Sequence, residues 1–294
     1  MNNSRIVRRV GRAAATLALI AGAASLAAQG QPRTPRGDSL REASRLDTEG
    51  QTGKARELFA ALIASAPDEA ARAAAQRAMA MSYAFDGDCR NTLKYEEMAI
   101  AYWVTREQAE PQNAFYQEGE LANEGARVCI DAGDLTLAER YYRRGSELGL
   151  KEPEPRTHPK SLWDFRLAHA LARLAARRGN VAEAHAQVAA ARKLLDSDSA
   201  MAAQQERFFP YLVGYVALYT NDVATASAEL TKALSLRGNQ GDPFMTVLLA
   251  MTYERQGDAP QANALYQKAY DLATGHNPPA AFVRPFARRK LAAP

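Results

Sequence analysis

The sequence predicts an all-α chain built from repeated helix pairs. Three observations point there: a two-residue stop-and-start signal for helices that recurs six times, small residues at fixed offsets around it, and a globular composition. At 47% hydrophobic and 24% charged over 294 residues, the chain is not disordered, collagenous or a multi-span membrane protein. Two cysteines and no Cys-x-x-Cys exclude a disulfide framework and a zinc ribbon.

The signal is Gly or Asn followed by a polar residue: Gly50-Gln51, Gly87-Asp88, Gly133-Asp134, Gly179-Asn180, Asn221-Asp222 and Gly257-Asp258. A residue just past a helix end often takes the left-handed conformation, which Gly accepts freely and Asn tolerates. An Asp or Asn next in line accepts hydrogen bonds from the orphan N–H groups of the following helix. Each doublet therefore ends one helix and begins another.

The flanks keep step with the turns. Seven residues before them stand Ala43, Ala80, Ala126, Ala172, Gly214 and Ala250. Five after come Ala55, Thr92, Ala138, Ala184, Ala226 and Ala262, and twelve after come Leu62, Ala99, Gly145, Ala191, Ala233 and Ala269. Small side chains there let two antiparallel helices approach closely. Nine after, a larger residue plugs the gap (Phe59, Tyr142, Val188, Leu230, Tyr266), with Glu96 the exception.

This pattern resembles the tetratricopeptide repeat family, most closely in the third and sixth pairs and least in the second. The resemblance implies a right-handed α-solenoid of about six helix pairs over residues 38–275. Turn-to-turn spacings of 37, 46, 46, 42 and 36 exceed the family's period of about 34. Longer helices or loops are expected near 106–115, 151–161 and 196–208. Stacked units bury surface only against neighbours, so such an array tolerates irregular lengths.

Ahead of the array, residues 1–28 have the layout of a signal peptide: arginines at Arg5, Arg8, Arg9 and Arg12, then an uncharged run from Ala13 to Ala28. Sixteen Ala-rich residues are short for a bilayer span. Residues 29–37 read as a Pro/Gly linker. The expected destination is exported, periplasmic or secreted. An ATP-free compartment counts against a kinase or an ATPase. Those four arginines are also the whole basic excess: 37 bases face 33 acids overall, and no acid precedes Asp38. The remainder is neutral, with no global electrostatic reason to seek nucleic acid.

In a stacked array, Cys89 at the start of one helix and Cys129 near the end of its neighbour fall at one level. A disulfide is expected, against the alternative of two separate buried thiols. Closing that 40-residue loop is worth about 4 kcal/mol on the chain-entropy model.

Motifs for catalysis are missing. The four histidines (His158, His169, His185, His276) form no HExxH, and neither GxSxG nor GxxxxGK[ST] occurs. The expectation is no enzyme, no metal and no cofactor.

The resemblance further implies that first helices line a concave groove through residues at fixed offsets before each turn. Those offsets give Asn123 and Arg127 in the third pair, and Arg166, His169, Arg173 and Arg177 in the fourth. The fifth gives Phe208, Tyr211, Tyr215 and Tyr219, and the sixth Phe244. A basic band beside an aromatic band suits a protein partner's extended or helical segment, an acidic one included. The family's lysine and asparagine carboxylate clamp is not reproduced. The expected function is a protein–protein scaffold of the cell envelope; alternatives are a structural subunit of a larger envelope assembly and a small-ligand or glycan-binding protein. The basic tail 276–294, with Phe282 and Phe286, is expected to cap the last apolar helix face. Membrane contact is expected only through a retained signal segment or lipid binding by that tail.

Overall fold

A computed structural model describes residues 34–292; the expected signal peptide and most of the linker lie outside the described residues. The described residues hold helices and no strand. The chain runs α1 (Pro35–Glu49), α2 (Thr52–Ala64), α3 (Glu69–Phe85), α4 (Cys89–Val104), α5 (Pro111–Ala132), α6 (Leu135–Leu150), α7 (Lys160–Arg177) and α8 (Val181–Ser197). A short α9 (Ser199–Gln205) and a 3-10 turn (Glu206–Phe208) lead into α10 (Phe209–Tyr219), α11 (Val223–Ser235), α12 (Pro243–Arg255), α13 (Ala259–Leu272) and α14 (Pro278–Ala292). Helix α1 starts at Pro35, so the last residues of the expected linker are already helical, with Thr34 accepting from the Gly37 N–H at 3.1 Å.

The doublets act as the local chemistry demands. Gly50, Gly87, Gly133, Gly179 and Gly257 have φ between 70° and 89°, and Asn221 takes the same region at 66°. The next residue caps the following helix in five of six turns. Asp88, Asp134, Asn180, Asp222 and Asp258 each accept the backbone N–H three residues on, at 3.0–3.3 Å. Gln51 makes no such bond.

Helices pack in neighbouring pairs: α1 with α2, α3 with α4, α5 with α6, α7 with α8, α10 with α11, α12 with α13. The small residues sit at the contacts. Ala43, Ala80, Ala126, Ala172, Ala250, Ala55, Ala138, Ala184, Ala226, Ala191, Ala233 and Ala269 are fully buried. Of the larger plugs, Phe59, Tyr142, Leu230 and Tyr266 are buried and Val188 is half-buried. Glu96 fills its slot too, fully buried and with neither oxygen hydrogen-bonded.

The longer spacings have separate causes. Residues 105–110 form a loop, and α9 with its 3-10 turn fills 199–208. The loop at 151–159 is organised from inside by the buried Glu152 carboxylate. It accepts from the Thr157 hydroxyl at 2.8 Å and the His158 N–H at 3.2 Å, and meets His158 Nδ1 at 3.0 Å. That loop delivers Trp163 to a seat between α5 and α6. Its ring is fully buried against Gly119 and Gly149, where an added Cβ would stand 2.6 Å and 2.0 Å from the indole. Only glycine fits under that ring.

Cys89 and Cys129 form a disulfide between α4 and α5, with Cα atoms 4.8 Å apart. It fits an oxidising compartment. No described helix is long and apolar enough to cross a membrane.

Helix α14 reaches beyond the last pair. It packs on α12 and α13, and also on α1, α3 and α5. The chain's last helix thus ties its first pair to its last.

Candidate functional site

Helical spacing places the expected residues on shared faces. On α5, Glu120, Asn123, Glu124, Arg127 and Asp131 recur at three- and four-residue steps, and on α7 so do Arg166, His169, Arg173 and Arg177. Phe208, Tyr211, Tyr215 and Tyr219 continue the row through α10. The three faces converge on a cavity of about 330 Å³. Asn123, Arg127, Arg166, His169, Arg173, Phe208 and Tyr211 line it, joined by Glu120, Glu124, Tyr142, Phe165, Gln205 and Pro278.

Its floor is electropositive. Arg173 is only 7% exposed and reaches no carboxylate; it donates to the hydroxyls of Tyr142 at 3.1 Å and Tyr211 at 3.5 Å, and to the His169 carbonyl at 3.4 Å. Arg127 lies over the Phe244 ring at 4.5 Å, and its Nε is buried without a hydrogen-bond partner. Burial and the charges of Arg173 and Arg127 push His169 well below the usual imidazole range, so it is neutral. Burial likewise raises Tyr142, which stays a phenol. The buried acid near these arginines is Asp131, whose carboxyl burial pushes up to about 6 against the pull of Arg127, Arg173 and Arg177. On the rim, Glu120 pairs with Arg166, and Glu124 accepts from Arg77 Nε at 2.8 Å.

The remaining expected groove residues lie apart from the cavity. Arg177 donates to the Tyr215 hydroxyl at 3.4 Å and covers the Tyr219 ring at 4.8 Å. Tyr215 and Phe244, expected on an open face, are at most 2% exposed. At Phe244 the reason is α14: Phe282 lies tilted beside it at 5.4 Å between centroids, and Phe286 lies 6.1 Å from Tyr266 and 5.1 Å from Phe282. Tyr215 is closed in by Tyr211 and Tyr219. What reads as one aromatic band in sequence is divided: Phe208 and Tyr211 line the cavity, and Phe244 is core beneath α14.

No family model matches the chain, and no curated protein matches it.

Helix α14 is held at both ends. Ahead of it, His276 meets Asp47 at 2.8 Å, flanked by Phe59 and Phe85. Asp47, fully buried, also accepts from Ser82 at 2.8 Å. Arg284 donates to the Thr48 carbonyl and, at 2.9 Å, to the Tyr270 hydroxyl, while Lys290 pairs with Glu254 at 2.6 Å. On its other flank a second cavity of about 460 Å³ is lined by Asp86, Val128, Asp131, Phe282 and Arg289 among others. Pro278 borders both cavities, so the first turn of α14 stands between them.

Sequence reasoning missed Tyr142, which reads only as a core plug although its hydroxyl faces the arginines. It also missed Phe165, one residue before Arg166, and Pro278, whose position depends on where α14 docks. Among the described residues, no group of three or more His, Cys, Asp or Glu is arranged to hold a metal ion.

Proposed function

We propose that this chain is an exported, non-enzymatic interaction scaffold of the tetratricopeptide type, an α-solenoid that holds a helical segment of a protein partner against its first helices. The observation that carries the reading is α14 itself. It is a helix with two aromatic anchors four residues apart, Phe282 and Phe286, seated along α12 and α13 while touching α1, α3 and α5. Helix-in-groove recognition uses anchors at that spacing. The disulfide supports the exported reading.

The occupant also revises the partner's sign. The surface under α14 and its lead-in pairs Asp47 with His276 and Glu254 with Lys290, and Asp131 lines the same cavity as Arg289. A helix that replaces α14 is therefore basic, with two aromatics on one face, rather than acidic.

Crosslinked pull-down from native envelope tests this, comparing wild type with a Phe282→Ala/Phe286→Ala variant shown folded by circular dichroism. Loosening α14 is expected to raise capture of the same partner several-fold. Equal capture by both proteins would remove the first-helix face as the docking surface.

A further inference from the structure

Several buried donors around the 330 Å³ cavity have no acceptor. Tyr142 and Tyr211, 5% and 7% exposed, each accept a hydrogen bond from Arg173. A phenol that accepts still carries its own O–H proton to donate. Neither proton has an acceptor among the described residues, whereas the Tyr266 hydroxyl donates to Glu254. Arg127 Nε is a third buried donor without a partner. The two carboxylates on the rim are both committed, Glu120 to Arg166 and Glu124 to Arg77. Buried donors left without acceptors are costly, and in native proteins they are met by water or by a ligand.

Charge and shape narrow the ligand. The lining holds three arginines (Arg127, Arg166, Arg173) against two glutamates. Behind it Asp131 faces Arg127, Arg173 and Arg177. Counting that acid together with Arg177 leaves an excess of one positive charge, which suits a monoanion. Arg173 is a planar donor fork, the geometry that matches a carboxylate. The walls are the rings of Phe165, Phe208, Tyr142 and Tyr211, and the volume is at the small end for ligand pockets. Pro278 closes one side, where a chain running along the groove would need to pass.

We propose that this cavity binds a small free organic monoanion, a carboxylate with a flat aromatic body, held by Arg127, Arg173 and the hydroxyls of Tyr142 and Tyr211. This does not depend on the helix-docking reading, since α14 stays in place.

Phenylacetate serves as the probe, titrated calorimetrically into the mature protein at pH 7.5. Saturable one-to-one binding is expected, weakened at least tenfold in phenylacetamide, which keeps the shape and lacks the charge. Phenyl phosphate, a dianion at this pH, is expected to bind several-fold more weakly than phenylacetate. Arg127→Gln is expected to cost tenfold or more, and Tyr211→Phe three- to tenfold, the latter removing one donor at constant size. Circular dichroism checks both folds, and the amide comparison on wild type keeps the proposal testable should either variant unfold. No saturable heat from phenylacetate, or equal binding of the amide, would mean that water alone fills the cavity and would overturn the proposal. Tighter binding of acetyl-Gly-Gly-Phe than of phenylacetate would make the site one for a chain terminus, which also overturns it.

Discussion

Glu96 in α4 and Tyr266 in α13 occupy the same place in their helix pairs, nine residues after the turn, and both are buried. Tyr266 fills its slot with a ring, and its hydroxyl donates to Glu254 at 2.6 Å. Glu96 fills its slot with a carboxyl that no hydrogen bond reaches, and burial holds it well above the usual carboxylate range. One position in the repeat thus tolerates a satisfied phenol and an unsatisfied acid. The difference is local support. The weaker slot lies in α4, the helix whose first residue, Cys89, is bound to Cys129 on α5. A crosslink there offsets a poor plug.

The largest expected effect comes from emptying the better slot. Tyr266→Ala leaves a cavity and takes one hydrogen bond from Glu254, which keeps its pairing with Lys290, and should cost about 4 kcal/mol, read as a lower urea midpoint. Reducing the disulfide comes next, with an expected loss of up to about 4 kcal/mol, the chain-entropy value for this 40-residue loop. Urea unfolding with and without reductant measures it, and a loss below about 1 kcal/mol would mean that the junction does not need its crosslink.

pH gives a smaller effect with a defined sign. A carboxyl whose folded pKa is raised gains a proton on folding. Its contribution is full below the unfolded value of 4.5 and disappears as pH rises through the folded one. Burial pushes Glu118 up to about 7 and Glu96 upward as well. His158 and His169 are shifted down by burial and act in the opposite sense below 6.5. The clean window is therefore pH 6.5 to 8, where stability should fall by about 1 kcal/mol from Glu118 alone, with Glu96 adding to the fall in the same direction. The smallest effect is a gain: Glu96→Leu removes the buried acid and should stabilise by about 1 kcal/mol at pH 8, while flattening that pH slope. A loss of stability instead would show that Glu96 has a structural role through Arg77, Glu124 or Glu97, the charges that face it.

The pairs were legible because their determinants are local. A left-handed Gly133 followed by a capping Asp134 needs no knowledge of distant residues, and neither does the three- and four-residue spacing that aligned Asn123 with Arg127 and His169 with Arg173. That register, with offsets taken from the family resemblance, gathered much of the cavity lining. Three things could not be read this way. The seat of Trp163 combines glycines from two helices with a ring delivered by a third. The role of the Tyr142 hydroxyl depends on which way its ring turns. The docking of Phe282 and Phe286 depends on α14 meeting α1, α3, α5, α12 and α13 at once, which no short window encodes. For that reason Phe244 was expected at a surface that α14 covers, while Tyr215 is closed in by its own neighbours Tyr211, Tyr219 and Arg177.

Arrays of stacked units ordinarily lose their end units first, because a terminal unit has one neighbour instead of two. Here the two ends hold each other. His276 on Asp47 and Arg284 on the Thr48 carbonyl bind the last helix to the first pair. Opening of α1 or of α14 must break the same contacts, so melting is expected as one event across residues 34–292, with slow amide exchange in α1 and α14 alike.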